Sequence, residues 1–163
     1  MEERGPNYKV MAVIRIRGLI DARPEVRKTM EMLHLKRKFR ATLVPNEPAQ
    51  LGMLHRIKDY STFGEIDLNT LTLLLRNRGE LKEGGRLTDK WLAENTEFKS
   101  VEELAEAILD GKIKFHKISW LKPYFRLHPP KKGFKRSTKR PWRDKGELGY
   151  RGAYINELLR RMI

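Results

Sequence analysis

Hydrophobic and polar side chains alternate towards the end of residues 9–17 (KVMAVIRIR). Successive side chains of a strand point to opposite faces, so this segment predicts a β-strand. The face that is wholly apolar comprises Val10, Ala12, Ile14 and Ile16. The other face is apolar at its start and ends with Arg15 and Arg17. We therefore expect the wholly apolar face to lie against the core.

A short amphipathic helix is predicted after this strand. Proline is tolerated in a first helical turn, and Pro24 is followed by Val26, Met30 and Leu33 at spacings of four and three residues. This spacing places the three apolar side chains on one face of a helix. A second strand is predicted over residues 40–44.

A second helix and a third strand complete the predicted core. Asn46 suits the N-cap of the helix, whose buried stripe we predict to be Leu51, Leu54 and Ile57. The third strand is predicted near residues 62–66.

The order of these elements favours a small sheet with both helices on one face. The opposite face would then be open, and Arg15 and Arg17 would project from it. An alternative for these two arginines is a salt bridge to the acidic residues that follow the core.

Residues 67–111 have a helical pattern and an excess of acidic side chains. We predict that Asp67, Thr88 and Ser100 each cap a short helix, and Ser100 with Glu103 forms a capping box. We expect this acidic helical block to pack on the core as an insertion.

The remaining residues alternate between loop and short elements. Residues 112–116 permit another strand, whereas the prolines and glycines of residues 122–150 argue against long regular elements there. A final helix is predicted, and its apolar face comprises Ile155, Leu158, Leu159 and Met162.

Charge divides the chain of 163 residues into three ranges. Its 35 Lys and Arg against 21 Asp and Glu give a net charge of +14. Residues 1–58 carry +7, residues 59–110 carry −6 and residues 111–163 carry +13. Together with the element pattern, this predicts three regions: a core over 1–66, the acidic helical block over 67–111, and a basic, aromatic-rich C-terminal extension over 112–163 that ends in a short helix. A basic excess of this size favours a polyanionic partner, either nucleic acid or an anionic membrane surface.

Several kinds of chemistry find no support in the sequence. The chain has no cysteine, so it has no disulfide or thiolate site, and a reducing, cytosolic setting fits. Its longest apolar runs fall short of the about 18 residues of a transmembrane helix, and we predict no membrane partner. Phosphate-binding glycine motifs are missing. We predict no metal site, because the four histidines lie far apart in the sequence. Since no enzyme motif is present either, we predict no catalytic site and no small-molecule substrate.

Aromatic side chains interleave with the cations near the C-terminus. They are Trp120, Tyr124, Phe125, Phe134, Trp142, Tyr150 and Tyr154. Lysine and arginine neutralise phosphates, and aromatic rings stack on exposed bases, which favours RNA. We therefore expect an extended arm over residues 122–150 that orders on RNA. The alternative is a solvated basic tail whose aromatic side chains pack back onto the domain.

Four segments of the chain are distinctive: KVMAVIRIRG (9–18), RKFRATLVPN (37–46), FRLHPPKKGF (125–134) and INELLRRMI (155–163). Together they resemble one family, the large-subunit ribosomal protein called L-thirty in bacteria and archaea and L-seven in eukaryotes. The last two segments resemble the longer archaeal and eukaryotic branch, and the lack of a long basic N-terminal extension favours an archaeal-type protein.

The resemblance implies an α+β fold with a β-α-β-α-β core, a three-stranded antiparallel sheet and a ferredoxin-like arrangement. It implies a structural protein of the large ribosomal subunit that binds domain II of the 23S-type rRNA and 5S rRNA beside neighbouring ribosomal proteins, without catalysis or cofactor. A ribosome-assembly factor of the same fold and, from another class, an RNA-modifying enzyme are the alternatives.

The RNA contacts that the resemblance implies are Arg15, Arg17, Lys36, Arg37, Lys38, Arg40, Lys131, Lys132, Lys135 and Arg136. From charge and aromatic content alone, we predict further contacts at Arg56, Phe134, Lys139, Arg140, Trp142 and Arg143.

Overall fold

A six-stranded sheet and six α-helices form the protein in a computed structural model that describes residues 10–163. Lys9, at the start of the first predicted strand, lies outside the described residues. The strands are β1 (Val10–Arg15), β2 (Arg40–Pro45), β3 (Ser61–Glu65), β4 (Phe125–Arg126), β5 (Ser137–Pro141) and β6 (Gly146–Tyr150). The helices are α1 (Pro24–Met32), α2 (Pro48–Arg56), α3 (Leu68–Arg78), α4 (Asp89–Asn95), α5 (Val101–Leu109) and α6 (Ile155–Met162).

The centre of the sheet has the predicted β-α-β-α-β arrangement. Strand β1 lies between β2 and β3 and is antiparallel to both, with Val13 opposite Thr42 on one side and Phe63 on the other. The predicted α+β class is confirmed.

The three antiparallel strands of the predicted core are present, but the sheet is larger because the C-terminal residues add three strands. The observed order is β4-β2-β1-β3-β6-β5. Strand β4 pairs antiparallel with β2, and β6 pairs parallel with β3. The strand permitted over residues 112–116 does not form, and Phe115–Lys117 is a single 3-10 turn.

Helices α1 and α2 both cover the sheet face that carries Met11 and Val13. These side chains form one buried cluster with Met30 of α1 and Leu54 of α2. The prediction of two helices on one face is confirmed, but they cover the face that ends in Arg15 rather than the wholly apolar face.

The opposite face of the sheet is buried as well. Val10, Ala12 and Ile14 pack in a larger cluster with side chains of α3, α5 and α6, such as Leu104 and Leu159. All six residues of β1 are therefore buried. The expected open face does not exist, because the acidic helical block and α6 present apolar stripes that must themselves be removed from water.

Close backbone contact joins the last helix to the sheet. A Cβ atom on Gly64 of β3 would lie 1.9 Å from the carbonyl oxygen of Gly152, in the 3-10 turn that leads into α6. Only glycine allows this approach. Asn156 also donates to the carbonyl of Glu65 at 3.0 Å, which fixes the start of α6 on β3.

The three predicted helix caps of the acidic block are confirmed. Asp67 accepts from the N–H of Thr70 at 2.7 Å, Thr88 from that of Trp91 at 3.1 Å, and Ser100 from that of Glu103 at 3.3 Å. Each bond satisfies one of the free N–H groups of a first helical turn.

The start of α2 differs from the prediction. Its N-cap is Glu47 rather than Asn46, and Pro48 is the first helical residue. Leu51 is 39% exposed, so the buried stripe consists of Leu54 and Ile57.

Over residues 10–163, no helix is both long enough and apolar enough to cross a membrane.

Candidate nucleic-acid interface

Three cations lie in the loop that joins α1 to β2. Lys36, Arg37 and Lys38 are exposed. Two residues of this loop have positive φ, His34 at 62° and Phe39 at 65°, and a left-handed conformation turns the chain sharply. The N–H of Phe39 donates to the carbonyl of Arg15 at 2.8 Å and ties the loop to the sheet. The first three residues of the predicted basic lip (Lys36, Arg37, Lys38 and Arg40) therefore lie in a fixed loop.

The fourth residue of the basic lip is held differently. Arg40 is half-buried in β2, and its guanidinium lies 4.3 Å from the ring centroid of Tyr124. Such cation–π contacts contribute about 0.5–1 kcal/mol at exposed sites.

A second cationic loop follows β4 in the chain and lies against the end of α6. Lys131 and Lys132 are exposed, and Lys132 has a φ of 65°. The N–H of Lys131 donates to the carbonyl of Arg161 at 2.9 Å, and the guanidinium of Arg161 donates back to the carbonyl of Gly133 at 2.8 Å. These bonds hold the loop against the helix, so both lysines have a defined position.

Aromatic packing brings the two cationic loops together. The rings of Phe39 and Phe134 lie 6.2 Å apart, and the N–H of Leu127 donates to the carbonyl of Phe39 at 3.1 Å. The cations that the sequence places about 90 residues apart thus belong to one surface. We call this the basic surface; it comprises Lys36, Arg37, Lys38, Lys131 and Lys132.

The basic surface is electrostatically uncompensated. No ion pair within residues 10–163 involves any of its five side chains. Burial and then the positive charge of Lys36 lower the pKa of the nearby His34. A surface with free cations favours a polyanion, because phosphates can replace the missing counter-charges.

Arg15 does not lie on this surface, which corrects its predicted exposure. Its side chain is buried, at 6% exposure, and donates to the carbonyls of Leu35 at 3.0 Å and Arg17 at 3.1 Å. Burial lowers the pKa of its guanidinium. Because α1 and α2 cover its face of the sheet, Arg15 stabilises the β1–β2 connection from inside.

Arg17 is half-buried beside the loop that precedes β3. Its guanidinium lies 5.4 Å from the ring centroid of Tyr60 and donates to the carbonyl of Asp59 at 3.3 Å. Neither Arg17 nor Arg15 forms an ion pair with the described part of the acidic block, so the salt-bridge alternative is wrong for both.

The predicted extended arm is folded instead. Residues 122–150 contain β4, β5 and β6, and the aromatic rings there pack on the protein. The ring of Trp142 is half-buried, with the guanidinium of Arg136 4.0 Å from its centroid and that of Arg151 4.6 Å away. Tyr154 lies beside it at 5.3 Å. Phe134 and Trp142 therefore pack back onto the domain, which was the alternative to an extended arm.

The remaining predicted cations are exposed and lie away from the basic lip. Lys139 and Arg140 lie in β5, Arg143 lies in the 3-10 turn after it, and Arg56 ends α2. Lys135 lies 3.6 Å from Glu157, and both side chains are more than half exposed. Exposed pairs of this kind contribute little, about 0–1 kcal/mol.

A buried ion pair was not predicted. Glu147 and Arg151 are 2% and 4% exposed, and their charged atoms lie 2.7 Å apart. Arg151 also donates to the hydroxyl of Thr62 at 2.7 Å, which joins β6 to β3. Burial lowers the pKa of Arg151, and the bond to Glu147 opposes this effect. The only sequence signal was two opposite charges four residues apart beside Gly149.

The acidic helical block satisfies part of its charge internally. Arg76 forms ion pairs with Asp89, at 3.1 Å, and with Glu102. The N–H of Val101 and then Arg76 lower the pKa of Asp89. No group of three or more potential metal-ligating side chains occurs among residues 10–163.

Comparison with known proteins gives consistent matches. The sequence model of the family described as ribosomal protein L30p/L7e matches residues 11–60. The large ribosomal subunit protein uL30 of Korarchaeum cryptofilum is 64% identical over 94% of this chain and 95% of that protein. The proteins of the same name from Staphylothermus marinus and Methanopyrus kandleri are 50% and 46% identical, over 93% and 91% of this chain and 97% and 100% of theirs.

The fold and the surface define a class of protein: a small α+β protein with a surface of exposed cations that have no ion-pair partner among the described residues. The relatives share this degree of identity over nearly the whole chain. The chain belongs to the ribosomal protein L30p/L7e family. The predicted family and its archaeal type are confirmed.

Proposed function

We propose that the protein is a structural constituent of the large ribosomal subunit, on cytoplasmic ribosomes, and that it binds folded rRNA through the basic surface. The observation that carries the proposal is the junction of Phe39 and Phe134, which unites two cationic loops whose exposed cations have no ion pair with a described carboxylate. The names of the relatives, all large ribosomal subunit proteins, support the same role. No catalytic step is part of the proposal.

The contacts are expected to be mostly with phosphates. Lysine dominates the basic surface, and it acts as a point charge that any phosphate geometry can satisfy. Phosphate contacts position a protein on RNA and contribute most of the affinity. Further cations extend the interface beyond the basic surface: half-buried Arg17 and the exposed Lys135, Arg136, Lys139, Arg140 and Arg143.

The RNA partners can be specified further. We propose domain II of the 23S-type rRNA as the main site, with 5S rRNA as a second contact of the C-terminal extension. The acidic helical block would face neighbouring ribosomal proteins, because its surface repels phosphates.

Filter binding of large-subunit rRNA across a salt series tests the proposal. The double variant Lys131→Ala/Lys132→Ala should bind more weakly at low salt, and its log–log salt dependence should be less steep by about 1–2 units, because each phosphate contact contributes roughly 0.7–0.9. The matched control is Lys90→Ala/Lys99→Ala, two exposed lysines of the acidic helical block.

The control variant is expected to bind like the unmodified protein. Equal losses in both double variants would show non-specific attraction to a basic protein and would contradict the proposed surface. Sedimentation adds a second criterion: the protein should remain in mature, translating ribosomes. Presence only in precursor particles would indicate an assembly factor.

A further inference from the structure

A cavity of about 350 Å³ lies between α6 and the segment that contains β5 and β6. Trp142 and Tyr154 form an aromatic wall, with ring centroids 5.3 Å apart. The buried pair of Glu147 and Arg151 also lines the cavity. Its volume lies in the range of roughly 300–1,000 Å³ that small-molecule sites occupy.

The positive charge of this cavity exceeds its negative charge. Glu147 compensates Arg151 at 2.7 Å, and exposed Glu157 lies 3.6 Å from Lys135. Arg136 and Arg161 also line the cavity, and neither forms an ion pair with a described residue. Both guanidinium groups contribute to lowering the pKa of Arg151 by electrostatic repulsion, although burial is the largest cause.

Two of these arginines have N–H groups available. The Nε atom of Arg161 is buried and has no hydrogen-bond partner among the described residues. The guanidinium of Arg136 donates to the carbonyl of Trp142 at 3.5 Å, a long bond. A buried donor without a partner loses free energy that an anion would restore. This arrangement therefore suits one phosphate.

Tyr154 adds an exposed aromatic ring to the wall of the cavity. It is 61% exposed, although tyrosine rings commonly cover apolar surface. Arg136 and Arg151 lie over the ring of Trp142, so that ring is already in contact with cations. The ring of Tyr154 remains accessible beside them. An exposed ring next to unpaired arginines is typical of sites that stack an unpaired base.

We propose that this cavity binds one unstacked nucleotide of the rRNA, with its base on Tyr154 and its phosphate at Arg136 and Arg161. The inference rests on the proposed rRNA binding and adds a base contact to it. The basic surface would then supply most of the affinity, whereas the cavity would require a nucleotide that is free to leave its helix.

Adenosine 5′-monophosphate is the probe for the first experiment, and inorganic phosphate is its reference. Titration is followed at the indole N–H of Trp142 in NMR spectra of the full chain. The mononucleotide is expected to bind at least fivefold more tightly than phosphate. Tyr154→Ala should reduce its affinity to that of phosphate, and Tyr154→Phe should bind like the unmodified protein. Equal affinity for both probes, no saturable shift, or an unaffected Tyr154→Ala would overturn the proposal.

The second experiment separates this inference from the proposed function. In rRNA filter binding, Tyr154→Ala is expected to bind about tenfold more weakly with an unchanged salt dependence, because one stacked base and no phosphate is lost. Tyr154→Phe should remain within about twofold. Normal rRNA binding by Tyr154→Ala would reject the cavity and leave the basic surface intact. Failure of the unmodified protein to bind rRNA would reject the proposed function itself.

Discussion

Arg15 and Arg17 are two residues apart, and their environments differ completely. Arg15 is buried and donates to two backbone carbonyls, whereas Arg17 is half-buried beside Tyr60. Alternation along a strand predicts that the two side chains share a face, but β1 ends at Arg15. It does not predict whether another element covers that face, because this depends on α1 and α2.

Replacement of each arginine by methionine should separate these roles. Arg15→Met removes a charged donor and leaves the carbonyl of Leu35 buried without its partner. We expect the free energy of unfolding to fall by about 1–3 kcal/mol. Arg17→Met should change it by less than about 1 kcal/mol and should weaken rRNA binding instead. Urea unfolding and filter binding measure the two effects. A stable Arg15→Met with poor RNA binding would show that Arg15 faces RNA.

At the scale of helices and strands, the sequence pattern predicts the features that depend only on residues close together in the chain. Asp67, Thr88 and Ser100 cap their helices as predicted, because a cap depends on residues within one turn. Strands β4 and β6 could not be predicted this way. Phe125 is a strand residue only because it lies opposite Ala41, and Gly149 only because it lies beside Thr62.

The candidate site, too, could be predicted only where it depends on residues close together in the sequence. The cations of the basic lip were predictable from their number in one short loop. Their union with Lys131 and Lys132 depends on Phe39 and Phe134, whose contact spans 95 residues of sequence. Hydrophobic periodicity carries no information about such a distant pair.

The junction of β3 and β6 depends on the buried pair of Glu147 and Arg151. Arg151→Met leaves the carboxylate of Glu147 buried without its cation, and we expect a loss of about 3–5 kcal/mol in the free energy of unfolding. The double variant Glu147→Gln/Arg151→Met should regain part of this loss, because no unpaired charge remains. Thermal and urea unfolding of the three proteins test this. An equal loss in the single and double variants would mean that packing, rather than charge, determines the effect.

At the scale of the whole molecule, one apolar cluster draws on all three predicted regions. Ile14 belongs to the core, Leu104 to the acidic helical block and Leu159 to the C-terminal extension, and all three are members of that cluster. Shared burial couples the stability of the three regions, since no region can bury its apolar face without the other two. We therefore expect the chain to unfold in a single cooperative transition.

Leu159→Ala tests this coupling. Leu159 is fully buried, and its truncation should cost about 2–5 kcal/mol. Amide hydrogen exchange should accelerate at Ala12 and at Leu104 alike, although these residues lie in different regions. The control is Leu73→Ala on α3, which is 41% exposed and should change stability by less than about 0.5 kcal/mol. Acceleration confined to α6 would indicate separate folding units.

The position of α6 on the sheet also determines when the protein can finish folding. Synthesis proceeds from β1 towards α6, so the sheet face that carries Val10, Ala12 and Ile14 is not completely covered until Ile155 and the helix behind it have been made. Roughly 90 residues separate β3 from α6, which is about 5–18 s at translation rates of roughly 5–20 residues per second. During that time α3 and α5 can cover this face only in part, because side chains of α6 complete the cluster around Val10, Ala12 and Ile14. The growing chain therefore needs protection from aggregation for longer than its short N-terminal core alone would require.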